Sequence, residues 1–245
     1  MENKRMLTIL LAALIVMGGI VASTYKVADS LVEIKGTNFI TVSGSARQQI
    51  TSDLMVWTGS FSAQSASLKE AYAKLNADQE KVKAFLSSKG IPEEQMIFSS
   101  ISTNPIYEVT PSGMYTMNVM AYRLEMRVEI SSTELDKLTR VSREVTELIN
   151  EGIEFQSWQP QYFYTKIADL KVSMLAEATK DAKARAEQIA LNTGGNIGKL
   201  RSAKMGVMQI TPANSTEVSD YGINDTSSIE KAITAIVTAS FEIED

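Results

Sequence analysis

The segment from Tyr122 to Ile130 alternates strictly between apolar and charged residues, and this alternation constrains the fold more than any other feature. Successive side chains of a β-strand point to opposite faces, so the segment predicts a strand with one buried and one solvent-facing side. Half-buried strands of this kind are typical of antiparallel sheets. The apolar members are Tyr122, Leu124, Met126, Val128 and Ile130, and the charged members are Arg123, Glu125, Arg127 and Glu129.

The rest of the chain alternates between further strand patterns and amphipathic helices. Three segments, at about residues 67–90, 131–152 and 167–192, have the apolar spacing of helices. Strands that follow one another without an intervening helix favour antiparallel pairing. The sequence therefore predicts an α+β fold of antiparallel sheets with three helices packed on one side, preceded by one N-terminal transmembrane helix. The predicted strands are 39–46, 53–63, 95–107, 116–130 (which contains the alternating segment), 153–164, 197–210 and 233–243.

An uncharged run from Met6 to Tyr25 follows the basic residues Lys4 and Arg5. About 20 mostly apolar residues span a bilayer, and flanking basic residues keep their end in the cytoplasm. We therefore expect a cytoplasmic stub and transmembrane signal anchor over 1–25, a tether over 26–38 and one domain over 39–245. This organisation places the chain in the cytoplasmic membrane, crossing it once, with the C-terminal domain outside the cytoplasm. The alternative is a signal peptide cleaved after Ala22. The apolar anchor positions are Leu7, Leu10, Leu11, Leu14, Ile15, Val16, Ile20 and Val21.

The chain contains no cysteine and no histidine. Disulfides, thiolate metal sites and thiol nucleophiles are thereby excluded, together with the commonest general base. We expect no enzyme activity, no catalytic residues, no cofactor and no metal. A carboxylate pair such as Glu217 and Asp220 is the weakest alternative, because no third group of matching chemistry accompanies it. The net charge of −5, with both signs interleaved, argues against a nucleic-acid partner.

Two groups of residues are candidates for contacts between copies of the chain. The charged face of the 122–130 strand has alternating signs that would fix register against a neighbouring strand, although a solvated sheet face is the simpler interpretation. The aromatic cluster around Pro160 suits a subunit interface, a sugar-stacking surface or a membrane-proximal belt, with core packing as the alternative. The candidate oligomer interface consists of Arg123, Glu125, Arg127, Glu129, Trp158, Tyr162 and Tyr164.

Two further segments have unusual composition. The polar loop over 211–228 is longer than a simple connection requires, and we expect an ordered contact loop. The string Met114, Met117 and Met120 suits soft-metal binding only in an irregular segment, because residues three apart on a strand face opposite sides. Core packing and exposure at a hairpin tip are the alternatives. The candidate contact residues of the loop are Asn214, Glu217, Asp220, Tyr221, Asn224 and Asp225.

Several short motifs are similar to those of a known family. They are Ile40–Gly44 (ITVSG), Gly90–Pro92 (GIP), Lys180–Glu187 (KDAKARAE) and Thr193–Gly198 (TGGNIG). Together with the order of the elements over about residues 38–244, they resemble the SIMPL-domain family of bacterial exported proteins. The resemblance implies an exported α+β protein, similar to periplasmic members that assemble into hollow rings or channel-like oligomers and are associated with stress tolerance. It implies no catalytic residues, because the family has none that are agreed.

The residues and the resemblance together predict a membrane-anchored protein that self-assembles into a ring- or cage-like oligomer with a structural or envelope-stress role. Its expected partners are further copies of the chain and, through the N-terminal helix, the membrane. Edge strands and an anchor that concentrates copies in a plane favour this hypothesis. The alternative is a monomeric or dimeric envelope receptor that binds peptide or glycan through Trp158 and the 211–228 loop.

Overall fold

The computed structural model of the chain describes residues 16–27 and 38–244. The first helix, α1, covers 16–27, and its Val16, Ile20 and Val21 side chains are exposed. No helix within these two ranges is long and apolar enough to cross a membrane. The other predicted anchor positions, Leu7, Leu10, Leu11, Leu14 and Ile15, lie outside the described residues, as does most of the predicted tether.

In the described part of the chain, ten strands and three further α-helices follow α1 in the mixed order of an α+β fold. The elements are β1 (Phe39–Thr51), β2 (Leu54–Ser65), α2 (Leu68–Ser88), β3 (Met96–Phe98), β4 (Ser102–Val109), β5 (Tyr115–Ser132), α3 (Leu135–Glu144), β6 (Glu154–Ser157), β7 (Gln161–Phe163), α4 (Ile167–Asn192), β8 (Asn196–Met205), β9 (Gln209–Pro212) and β10 (Glu230–Glu244). Seven of the pairings between these strands are antiparallel with a defined register: β10 with β8 and β9, β2 with β5, β6 and β7, and β5 with β3 and β4. The predicted α+β class with antiparallel sheets is therefore confirmed.

The chain divides into two compact units. The smaller unit contains Met1–Ala46, Leu175–Gly206 and Ala235–Asp245, and the larger unit contains Arg47–Met174 and Val207–Thr234. The sequence patterns do not separate these units, because the periodicities of β1, α4 and β10 continue across the boundaries.

The larger unit is built on a six-stranded sheet in the order β3-β5-β2-β6, with β4 also paired to β5 and β7 to β2. The central strands β2 and β5 pair from Met55↔Ser132 to Ser65↔Tyr122. One face of this sheet is apolar because side chains alternate along each strand, and α2 and α3 bury their apolar stripes against it. The resulting core includes Trp57, Phe61, Leu75, Leu86, Leu124, Ile130, Leu138 and Leu148.

In the smaller unit, strand β1 and helix α4 approach each other closely. Gly44 permits this approach, because a Cβ at this position would lie 2.2 Å from the backbone nitrogen of Ala182. The Ser45 N–H donates to Asp181 Oδ2 at 2.7 Å, and this hydrogen bond, with Arg185, holds the pKa of Asp181 below its usual value. The helix contributes a fully buried stripe of alanines at i, i+4 spacing, which consists of Ala178, Ala182, Ala186 and Ala190.

Three predicted strands are wrong in extent, because each is divided in the structure. The strand predicted over 95–107 is β3 and β4 with a break between them, and the strand predicted over 197–210 is β8 and β9. The aromatic strand predicted over 153–164 is β6 and β7. It breaks at Pro160 because proline has no N–H to donate to a strand ladder.

Candidate functional site

The hairpin formed by β4 and β5 ends in a segment that we call the hairpin arm, residues 106–120. Its strands pair through Tyr107↔Val119 and Val109↔Tyr115, and the turn closes with a 2.8 Å hydrogen bond from the Thr110 N–H to the Met114 carbonyl. Paired residues point to the same side of a hairpin, and side chains alternate along each strand. This pairing puts Tyr107, Val109, Tyr115 and Val119 on one face, which is therefore apolar; the register shifts on both sides of Tyr107, and Met117 lies within the irregular stretch of β5.

The apolar face of the hairpin arm is open to solvent. Met117 is 93% exposed and Tyr115 is 79% exposed. Outside this face, the Asn118 side chain donates to Glu108 at 3.3 Å. Among the described strands, β4 pairs only with β5, so its other edge is free. Because contiguous exposed apolar surface on a soluble domain marks contact sites, the arm is the first candidate interaction surface. The sequence string of Met114, Met117 and Met120 lies here, and all three side chains are exposed.

The predicted charged interface on β5 lies on the polar face of the larger unit's sheet. Arg123 Nη2 donates to Ser62 Oγ at 2.9 Å and lies 3.4 Å from Glu154 Oε2. Arg127 Nε lies 3.6 Å from Glu125 Oε1. Both arginines thus have acidic neighbours within the chain, which favours the simpler interpretation of a solvated sheet face.

The structure separates the three aromatic residues predicted for the interface. Tyr162 is buried in the core of the larger unit, with its hydroxyl 3.3 Å from Thr139 Oγ1, so it is not available to a partner chain. Tyr164 is half-buried, whereas Trp158 is 47% exposed. Of these aromatic residues, Trp158 remains the main candidate for contact with a ligand.

Trp158 borders a cavity of about 330 Å³ that we call the Trp158 pocket. Its floor is β2, and the Trp158 N–H donates to the Thr58 carbonyl at 3.0 Å. Arg127 of β5 stands on one side, and the link between β6 and β7 supplies the other side. Gln159 and Gln161 were not predicted from the sequence as site residues, although they flank Pro160 directly. The lining residues are Val56, Thr58, Arg127, Trp158, Gln159 and Gln161.

A buried ion pair joins the long loop between β9 and β10 to the start of β10. The Lys231 and Asp225 side chains are 2% and 8% exposed, and Lys231 Nζ lies 3.6 Å from Asp225 Oδ2 while donating to the Asp225 carbonyl. Burial raises the pKa of Asp225, but hydrogen bonds from Ser227 and Ser228 and the charge of Lys231 outweigh burial and lower it to about 2. Burial lowers the pKa of Lys231. The Asp225 side chain is therefore engaged within the chain, unlike the other candidate residues of the loop.

The remaining candidate residues of the loop, Asn214, Glu217, Asp220, Tyr221 and Asn224, are exposed. The loop backbone is held from both sides: Arg47 donates to the Ala213 and Ser215 carbonyls at 2.9 Å, and Gln209 Nε2 donates to the Ser219 carbonyl at 2.7 Å. Within residues 16–27 and 38–244, no group of three or more acidic side chains is placed to hold a metal ion. These hydrogen bonds tie the loop to Arg47 of β1 and Gln209 of β9.

Comparison with known proteins places the chain in a family. No curated protein matches it. A family model described as SIMPL, protein of unknown function (DUF541), matches residues 40–241. The match includes the hairpin arm, the Trp158 pocket and the buried ion pair. Since it extends over most of the sequence, the chain belongs to the SIMPL (DUF541) family.

Proposed function

We propose that this chain is an assembly module that self-associates through its hairpin arm into a ring- or cage-like oligomer. The observation that carries the proposal is the exposed apolar surface of the arm, on which Met117 and Tyr115 are the most exposed side chains. Burial of such a face against a second apolar surface is favourable because it removes apolar area from water. The free edge of β4 adds backbone donors and acceptors that can pair with another chain.

The receiving surface that we propose is an apolar groove of about 530 Å³ at the start of α2 in the larger unit. Leu68 and Tyr72 line this groove, and both side chains are exposed. A protrusion on one copy that enters a groove on the next makes a head-to-tail contact. Contacts of this type generate rings when the rotation closes.

The proposal locates the assembly at the cytoplasmic membrane, with the SIMPL domain outside the cytoplasm and a structural or envelope-stress role. It rests on the uncharged run from Met6 to Tyr25, on Lys4 and Arg5 before it, and on the resemblance to exported relatives. An anchor of this kind confines the copies to a plane and raises their effective concentration. The absence of cysteine and histidine from the sequence supports a role by contact instead of catalysis.

Met117→Lys in the full chain tests the arm. We expect the particle mass in detergent, measured by multi-angle light scattering, to fall from that of an oligomer to that of a monomer. The reason is that a lysine ammonium would be buried in an apolar contact without a partner. Tyr72→Lys should have the same effect, because a head-to-tail contact needs both surfaces.

The matched control is Val172→Lys, which makes the same kind of change at a valine that is 71% exposed on α4. This variant should keep the wild-type mass. An unchanged mass for Met117→Lys, with a folded circular dichroism spectrum, would contradict the role of the arm.

A further inference from the structure

The two tryptophans of the chain have opposite environments. Trp57 is fully buried, whereas Trp158 is 47% exposed. Its backbone is anchored to the central strand β2, since the Trp158 N–H donates to the Thr58 carbonyl at 3.0 Å. A large apolar ring that is half open to water beside a cavity is suited to stacking against a ligand.

The polar groups around Trp158 are mostly planar. Arg127, Gln159, Gln161 and Thr58 line the pocket. The Arg127 guanidinium has five N–H donors, and Glu125 lies 3.6 Å from its Nε, which orients the group. An aromatic face surrounded by amide and guanidinium groups complements a ring that is apolar on one side and carries hydroxyl groups at its edge. A pyranose sugar has this chemistry.

We infer that the Trp158 pocket binds one pyranose ring of an oligosaccharide. The C–H face of the sugar stacks on Trp158, and its hydroxyl groups bond to Arg127, Gln159 and Gln161. The cavity of about 330 Å³ is at the size expected for one small ligand unit. This binding is independent of the proposed assembly, because none of the pocket residues belongs to the hairpin arm or to the groove at Tyr72.

An extended peptide fits this place less well. The floor strand β2 is paired to β5 on one side and to β6 and β7 on the other. It therefore has no free edge at which a peptide can add as a further strand. Stacking on Trp158 needs no free strand edge, and a sugar ring can use it directly.

The test is a titration of the full chain in detergent with three trimers: β-linked N-acetylglucosamine, β-linked glucose and α-linked galacturonate. Tryptophan emission reports binding, because Trp158 faces the ligand while Trp57 is shielded from it. We expect a saturable blue shift with at least one trimer. By calorimetry, Trp158→Ala should weaken binding by at least about tenfold, which equals about 1.4 kcal/mol. Arg127→Ala, which keeps the fluorescent reporter, should also weaken binding about tenfold.

Tyr221→Ala is the control, since it removes an aromatic side chain that is 96% exposed and lies outside the pocket. It should leave affinity unchanged, and none of these variants should change the particle mass. The inference is overturned if no trimer produces a saturable shift up to about 10 mM. Affinity that survives Trp158→Ala overturns it as well, and so does a response to a random peptide mixture without any response to the sugars.

Discussion

Lys231→Met is expected to lower the free energy of unfolding by about 3–5 kcal/mol, because it leaves the carboxylate of Asp225 buried without its counter-charge. Both side chains are almost fully enclosed in the larger unit. The ammonium also donates to the Asp225 carbonyl, so the substitution removes a bond that holds the long loop to β10. Urea denaturation followed by circular dichroism measures the loss.

A surface ion pair provides the control for Lys231. Lys137 lies 2.8 Å from Glu134, but the two side chains are 33% and 64% exposed. Lys137→Met should therefore cost less than about 1 kcal/mol, since solvent screens exposed pairs. A second variant, Lys231→Met combined with Asp225→Asn, should recover part of the stability because no buried charge is left. If Lys231→Met is no more destabilising than Lys137→Met, the ion pair does not have the role assigned to it.

Gly44→Ala is expected to destabilise the smaller unit by about 3 kcal/mol, at the upper end of the usual cost of overpacking. The added Cβ would lie 2.2 Å from the nitrogen of Ala182 and 2.3 Å from the carbonyl oxygen of Ala178. Both are backbone atoms of α4, so no side-chain rotation relieves the clash. Thermal unfolding followed by circular dichroism should show an earlier transition.

The comparison for this variant is Gly206→Ala, also in the smaller unit. Its Cβ would be 3.4 Å from the nearest heavy atom, which is ordinary van der Waals contact. We expect a change of less than about 1 kcal/mol there. Equal stability of the two variants would show that β1 and α4 are not packed as closely as Gly44 indicates.

Periodicity predicted the elements well where local and tertiary preferences agree. The alternation predicted for β5 is confirmed, because Leu124, Met126, Val128 and Ile130 are all buried. The helix predicted over about 67–90 runs from Leu68 to Ser88, with Ser67 at its N-cap position. The Ser67 side chain makes no cap hydrogen bond, and Ser65 instead accepts from the Ser67 N–H and donates to Glu70.

The candidate sites were harder to predict because sequence does not distinguish exposed from buried apolar residues. Tyr162 and Trp158 belong to one aromatic cluster, yet the first is in the core and the second is half exposed. The buried Lys231 was missed, although its place just before the apolar residues of β10 was a signal. Its partner Asp225 lies in a loop, where no periodicity relates the two residues.

We propose that the hairpin arm of one copy of this chain contacts the groove at Tyr72 of the next copy. The most direct test is the mass of the full-length wild-type protein in detergent, measured by light scattering at concentrations from about 0.1 to 10 μM. We expect a single particle whose mass is a fixed multiple, greater than one, of 26.9 kDa. A monodisperse 26.9 kDa monomer across this range would contradict it.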